Sequence, residues 1–148
     1  MNESQLRGAF IAFTKSKLGA PYVWGSNGPD TFDCSGLVVY GLRKMGIIGP
    51  DEDFSARMLM QKCNLVTAEP RAGDLAFYGR NVNAVSHVAI CLDGRHFYSA
   101  SGGGPTTTSI DAARKAHANV KLHPRAAYRS DLLAVCTNLF LTEKVTRE

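Results

Sequence analysis

The chain has 148 residues, of which 45% are hydrophobic and 20% charged, values typical of one globular domain rather than of a disordered chain. Its formal net charge of +4 fits an anionic partner, without choosing among nucleic acid, a membrane surface and an acidic polymer. The sequence contains no nucleic-acid-binding signature and no apolar run of about eighteen residues, so we expect neither a nucleic-acid partner nor a membrane span.

Helical periodicity dominates the first half of the chain. Apolar residues at helical spacing predict a helix over residues 3–18, with Gly19 as a natural stop. Residues 34–45 predict a second helix, and residues 55–63 a third one that Ser55 can cap. Between the first two helices lies a loop rich in glycine and proline, over residues 19–30. Its two large aromatic residues are either anchors of the loop or the wall of a site: Tyr22 and Trp24.

Strand patterns dominate the second half. We predict five strands, over residues 75–78, 87–92, 95–100, 119–122 and 132–136, and a short helix over residues 109–118. Residues 139–141 extend or follow the last strand, and Asp93-Gly94 predicts a two-residue hairpin turn. Helices followed by an antiparallel meander indicate an α+β fold, which we assign to a single domain, 1–148.

Cys34 stands where a helix makes a thiol reactive. Asp33 is a good N-cap and precedes the apolar run of the second helix, which places Cys34 in the first helical turn. Free backbone N–H groups and the positive end of the helix dipole favour a thiolate there, so we expect a depressed pKa and a nucleophile. The alternative is a cysteine that is merely buried at a helix start.

A cysteine nucleophile needs a base, and His87 is the best placed of the four histidines. It opens a strand after a polar loop, so its ring can face a site at the edge of the sheet. A third group must orient the imidazole. Strand alternation puts Ser99 on the same face as His87, whereas His96 and Tyr98 face the other way. A strand-end Ser99 without a role is the alternative.

The remaining cysteines, Cys63, Cys91 and Cys136, indicate packed free thiols. No Cys-x-x-Cys pair occurs, so we expect no cysteine-rich zinc site. The polar start of the chain lacks a basic region followed by an apolar core, so we expect no secretion signal and synthesis in the cytoplasm.

Four ordered motifs reveal a family resemblance. These are residues 19–25 (GAPYVWG), 32–38 (FDCSGLV), 72–75 (AGDL) and 86–90 (SHVAI). In this order they resemble the NlpC-type cell-wall cysteine peptidases, and the resemblance covers residues 5–136. It implies a compact papain-like α+β domain, with N-terminal helices packed on an antiparallel β-sheet.

The resemblance also implies roles for individual residues. Cys34 would be the nucleophile, its backbone N–H an oxyanion donor, and His87 the base. Family members place a third polar residue, often histidine, twelve positions after the base, where this chain has Ser99. Ser99 itself, a bridging water or another residue such as His123 then orients the ring. The implied substrate contacts are Tyr22, Asp33, Ser35 and Ser86.

The activity implied is hydrolysis of amide bonds in bacterial peptidoglycan stem peptides through a Cys34 thioester, often next to the γ-carboxyl of D-glutamate. Peptidoglycan is the expected partner, neither a metal nor another cofactor is needed, and we expect a monomer. A catalytic domain without a signal peptide suits a phage endolysin released by a holin, or a tail-associated wall hydrolase. The alternatives are an amidase or acyltransferase acting on another substrate, and a catalytically impaired wall-binding or tail structural protein.

Overall fold

The structure is a computed structural model that describes residues 1–146. The helices are α1 (Glu3–Lys15), α2 (Cys34–Lys44), α3 (Ala56–Lys62), α4 (Ile110–Lys115) and α5 (Leu139–Thr146). The strands are β1 (Leu75–Gly79), β2 (Val85–Cys91), β3 (Phe97–Ser101), β4 (Asn119–His123) and β5 (Leu132–Cys136). A short 3-10 turn, Ala126–Tyr128, lies between β4 and β5. Among the described residues, no helix is both long and apolar enough to cross a membrane.

All five strands form one antiparallel sheet in the order β4-β3-β2-β1-β5. Successive side chains along a strand point to opposite faces of the sheet. One set of side chains from β1 and β2 is therefore buried against the helices, and the other set is buried against residues 126–135. Helices first and an antiparallel sheet second confirm the predicted α+β fold.

Helix α2 lies at the centre of the helical layer. Leu37, Val38 and Leu42 are fully buried in the main core. Gly41 allows α1 to approach closely, because a Cβ there would stand 2.6 Å from the Thr14 side chain. Close packing of this kind fixes both the position and the axis of α2, and with them the position of its first residue.

A buried ionic cluster joins α1 to the start of β1 and to the turn before α5. The Asp74 carboxylate accepts a hydrogen bond from Arg7 Nη1 at 2.8 Å and another from the backbone N–H of Asn138 at 3.0 Å. The Asn138 side chain donates to the carbonyl of Gly73 at 2.9 Å. The motif at residues 72–75 therefore holds the scaffold together.

Two local predictions are wrong. Residues 139–141 begin helix α5 instead of continuing a strand, since three apolar residues cannot distinguish the two by periodicity. The connection between β2 and β3 is longer than a two-residue hairpin: Leu92 N–H donates to the carbonyl of His96. The cause is the Asp93 carboxylate, which accepts from the backbone N–H of Arg95 and of His96 and so builds a wider turn.

Candidate active site

Asp33 builds the start of α2. One carboxylate oxygen accepts a hydrogen bond from the Gly36 N–H at 2.7 Å, which is the predicted N-cap. The other accepts from the Gly25 N–H at 3.0 Å and ties the preceding loop to the helix. Gly36 is required here, since a Cβ would stand 2.0 Å from the Ser26 carbonyl oxygen. Cys34 is therefore the first residue of a helix that is fixed at both its cap and its core face.

The thiol and the imidazole share one cleft of about 600 Å³. Cys34 Sγ lies 3.8 Å from the carbonyl oxygen of Ser86, the residue before His87 in β2. Both reactive side chains are buried. Six of the predicted site residues line the cleft: Tyr22, Asp33, Cys34, Ser35, Ser86 and His87.

The His87 ring is held from behind by two hydroxyl groups. Its Nε2 lies 3.2 Å from Ser99 Oγ and 2.7 Å from the Tyr128 hydroxyl. Ser99 is thus within hydrogen-bonding distance of the imidazole, as the alternation of β2 and β3 predicts. With Nε2 occupied, Nδ1 is the nitrogen left to accept a proton from a thiol. Tyr128 makes the shorter contact, and the sequence prediction missed it.

His123 lies one step further from the thiol. Its Nε2 is 2.9 Å from Ser99 Oγ and 3.2 Å from Ser101 Oγ, and the two serine hydroxyls also hydrogen-bond each other. The His123 ring stacks on the Tyr128 ring, with centroids 3.6 Å apart and planes 2° from parallel. His123, the alternative orienting group, therefore holds the two groups that contact His87.

These contacts form a directional chain of neutral groups. For His87 Nδ1 to accept a proton, Nε2 must carry the ring hydrogen and donate it to the Tyr128 hydroxyl. Tyr128 can then donate to Ser99, 3.2 Å away, and Ser99 to His123 Nε2. Burial, with the nearby charges of Lys121 and Arg129, lowers the pKa of His123 to about 4, so this ring remains a neutral acceptor at neutral pH.

The expected depressed pKa of Cys34 is wrong in direction. Burial of the thiol, reinforced by the neighbouring Asp33 carboxylate, raises its pKa to about 11. The backbone N–H of Ser35 acts in the predicted, opposite sense, but burial outweighs it. Burial also lowers the pKa of His87 to about 3, with Arg129 and His123 adding to the effect. The resting pair is therefore a neutral thiol beside a neutral imidazole.

The other predicted site residues shape the cleft. The Tyr22 ring is buried against the backbone of Gly103, where a Cβ would stand 2.3 Å from it. Ser35 Oγ donates to Asp33 at 3.3 Å, so this hydroxyl and the carboxylate are already linked. Trp24 lines the cleft with half of its surface exposed, which makes it a wall of the site.

Two further residues at the site were not foreseen from the sequence, Tyr128 and Arg129. Both belong to the irregular segment between β4 and β5, where no periodic pattern marks an inward-facing position. Their only sequence signal is a tyrosine and an arginine beside each other in a turn, which is too common to single out. Within residues 1–146, no group of three or more His, Cys, Asp or Glu side chains is arranged to hold a metal ion.

Comparison with known proteins identifies the family. The model of the NlpC/P60 family matches residues 19–123. The "probable endopeptidase p60" of Listeria grayi is 31% identical over 102 residues, which are 69% of this chain and 19% of that protein. The chain thus spans about a fifth of the length of this relative.

Solved structures agree with this assignment. The peptidoglycan hydrolase RipB of Mycobacterium tuberculosis superposes with a TM-score of 0.64 at 27% identity, covering 92% of this chain and 65% of RipB. RipD of the same organism, a non-catalytic NlpC/p60 domain protein adapted to peptidoglycan binding, gives a TM-score of 0.64 at 20% identity, covering 90% of this chain and 96% of RipD. Sequence and structure together show that the chain belongs to the NlpC/P60 family.

Proposed function

We propose that this chain is a cysteine endopeptidase that hydrolyses amide bonds in peptidoglycan stem peptides. The observation that carries the proposal is the shared cleft of Cys34 and His87, with Nε2 of the imidazole occupied and Nδ1 left for the thiol. Relatives named as peptidoglycan endopeptidases support the choice of substrate.

The reaction begins from the neutral pair. Cys34 Sγ attacks the amide carbonyl while His87 Nδ1 takes the thiol proton, and the backbone N–H of Cys34 donates to the developing oxyanion. The imidazolium then gives its proton to the leaving amine, the C–N bond breaks and a thioester remains. Water, deprotonated by His87, attacks the thioester carbonyl, and the thiol departs with a proton as the acid product forms.

Acidic groups in the cleft favour a substrate with an ammonium group. Asp33 and Asp53 both line it, together with Tyr22, Ser35 and Ser86. Burial raises the pKa of Asp33, but its backbone hydrogen bonds act against this. A stem peptide that has been detached from the glycan and is cut at the γ-carboxyl bond of D-glutamate presents the free amino group of L-alanine on its acyl side, which these residues would bind.

The test is digestion of purified peptidoglycan followed by mass spectrometry of the soluble fragments. Each cut by the wild-type protein should create one new carboxyl terminus on the acyl fragment and one new amino terminus on the leaving fragment, and Cys34→Ala should create neither. Cys63→Ala is the matched control, because Cys63 is fully buried in the core and does not line the cleft. Equal release by Cys34→Ala and wild type would refute the proposal.

The neutral partners of His87 favour one second candidate, a wall-binding protein with impaired catalysis. Binding of peptidoglycan by wild type without any new termini would support it, whereas release of another product would indicate an amidase or acyltransferase. Origin in a phage, release by a holin, assembly into a tail and a monomeric state stay predictions.

A further inference from the structure

Arg129 places a fixed cation at the wall of the cleft. Its Nε and Nη2 donate to the two carboxylate oxygens of Asp131 at 3.0 and 2.8 Å. The guanidinium lies 5.4 Å from the centre of the Tyr78 ring. The side chain is 37% exposed and lines the cleft, and Nη1 has no hydrogen-bond partner among the described residues. An arginine held on one edge leaves its other edge free for a ligand.

The cation lies on the histidine side of the reaction centre. Tyr78, under the guanidinium, pairs with His87 across β1 and β2, and their ring centroids are 5.3 Å apart. Asp33, by contrast, belongs to the start of α2 beside Cys34. Asp33 is thus attached to the helix that carries the thiol, whereas Arg129 packs against the strand partner of the imidazole.

The proposed reaction determines which fragment of the substrate lies next to His87. The imidazolium must protonate the leaving nitrogen, so the leaving fragment has to lie against His87. A guanidinium matches a carboxylate with two parallel N–H donors and holds its charge at every working pH.

We propose that Arg129 binds a carboxylate of the leaving fragment and so selects stem peptides whose residue after the scissile bond bears a free carboxylate. This rests on the proposed function, since it assumes a leaving fragment. The free edge of Arg129 supplies the donors, and Asp131 keeps the fork in the orientation that presents them.

The test uses synthetic L-Ala-γ-D-Glu-L-Lys, with the lysine carboxyl either free or amidated. The wild type should cleave the free acid with a kcat/KM about tenfold higher than the amide, mainly through KM. Arg129→Gln should reduce this ratio to below about twofold by removing the advantage of the acid peptide in KM, and Arg129→Lys should keep part of it. Arg125→Gln, an exposed arginine that does not line the cleft, should keep the wild-type ratio.

A second pair of peptides tests whether Arg129 contacts the leaving fragment or the acyl fragment. Amidating the α-carboxyl of D-glutamate changes the acyl fragment, and Arg129→Gln should leave the response to that change unaltered. Equal cleavage of the acid and amide lysine peptides by wild type would overturn the inference. A ratio that survives Arg129→Gln, or an effect of this variant on the glutamate pair instead, would do the same.

Measuring peptide binding tests the carboxylate site independently of the proposed endopeptidase activity. Calorimetry on Cys34→Ala needs no turnover, and this variant should bind the acid peptide more tightly than the amide. Adding Arg129→Gln should remove the difference. A preference of this kind without cleavage by wild type would sustain the carboxylate site while refuting the endopeptidase. Cleavage by wild type without any preference would refute the site alone.

Discussion

His87 is oriented by hydroxyl groups rather than by a charged partner. Tyr128 and Ser99 contact Nε2, and His123 stands behind both. None of these groups carries charge at neutral pH, so none offsets the positive charge that His87 acquires during the reaction. Their contribution is to fix the tautomer and the ring plane, which is consistent with a resting pair in which neither group is ionised.

The two hydroxyls should contribute unequally. Tyr128→Phe removes the 2.7 Å contact and should lower kcat by about tenfold, or about 1.4 kcal/mol, with KM unchanged. Ser99→Ala removes a 3.2 Å contact and should cost only about threefold. Steady-state kinetics on a stem peptide measure both. Tyr40→Phe, in a half-buried residue of α2 that does not line the cleft, is the control and should be neutral. A larger loss from Ser99→Ala would contradict this order.

The protonation state of Cys34 can be followed through its alkylation rate. With the pKa raised to about 11, the thiolate fraction and the iodoacetamide rate at Cys34 should still be rising between pH 8 and pH 10. Peptide mapping by mass spectrometry separates Cys34 from Cys91, whose pKa burial also raises to about 11. A rate that levels off below about pH 8.5, the pKa of a free thiol, would show an ionised resting pair instead.

Among the elements, helix α2 depends on contacts at its first turn. The Asp33 cap, the tie to Gly25 and the close approach of Gly36 to Ser26 place Cys34 against β2. The contacts of this turn, together with the packing of the helix, therefore determine the position of the Cys34 sulfur atom.

Gly36→Ala should disturb that turn. Its Cβ would meet a backbone oxygen at 2.0 Å, so the chain must shift, at a cost of about 1–3 kcal/mol in the free energy of unfolding. Activity should fall further than stability alone explains, because Cys34 moves with the turn. Gly8→Ala in α1 is the matched control: nothing lies within 4 Å of its Cβ, and it should stabilise by up to about 1 kcal/mol. Urea unfolding of both variants measures these changes. A Gly36→Ala protein with the wild-type free energy of unfolding would contradict the account.

At the scale of the whole molecule, the Asp74 cluster joins helix α1 and the segment before helix α5 to the sheet. Arg7 from α1 is 5% exposed and Asp74 is 1% exposed, so their charges are removed from water and depend on each other. Asn138, immediately before α5, completes the cluster through its backbone and side-chain N–H groups.

Asp74→Ala should destabilise the protein by about 3–5 kcal/mol, because it removes the buried carboxylate that pairs with Arg7 and accepts from the Asn138 N–H. The partly exposed Glu3 carboxylate, 3.1 Å from Arg7 Nε, then remains as the ion partner of Arg7. Thermal or urea unfolding measures the loss. Arg71→Ala removes an arginine that is 58% exposed and paired with Glu3, and should change the free energy of unfolding by less than about 1 kcal/mol. Similar stabilities of the two variants would show that the buried cluster is not needed.

The sequence predicted the parts of the site that local rules control. A cap residue before an apolar helix located Asp33 and Cys34, and strand alternation put Ser99 on the face of His87. The sequence did not predict the role of Tyr128, because tertiary contacts position this residue. The Tyr78 hydroxyl donates a hydrogen bond to the carbonyl of Ala126 and so holds the turn over the sheet. The pKa of Cys34 was missed for the same reason, since a helix start is a local feature and burial is not.

The central claim is a covalent step at Cys34, and trapping the thioester tests it most directly. Wild-type protein is mixed with a stem peptide, quenched with acid during turnover, digested and mapped by mass spectrometry. The peptide that contains Cys34 should carry the mass of the acyl fragment, and the adduct should be absent from Cys34→Ala, which should also release no amine. Continued release of the amine by Cys34→Ala, or turnover by wild type with no adduct on Cys34 at any quench time, would contradict the account.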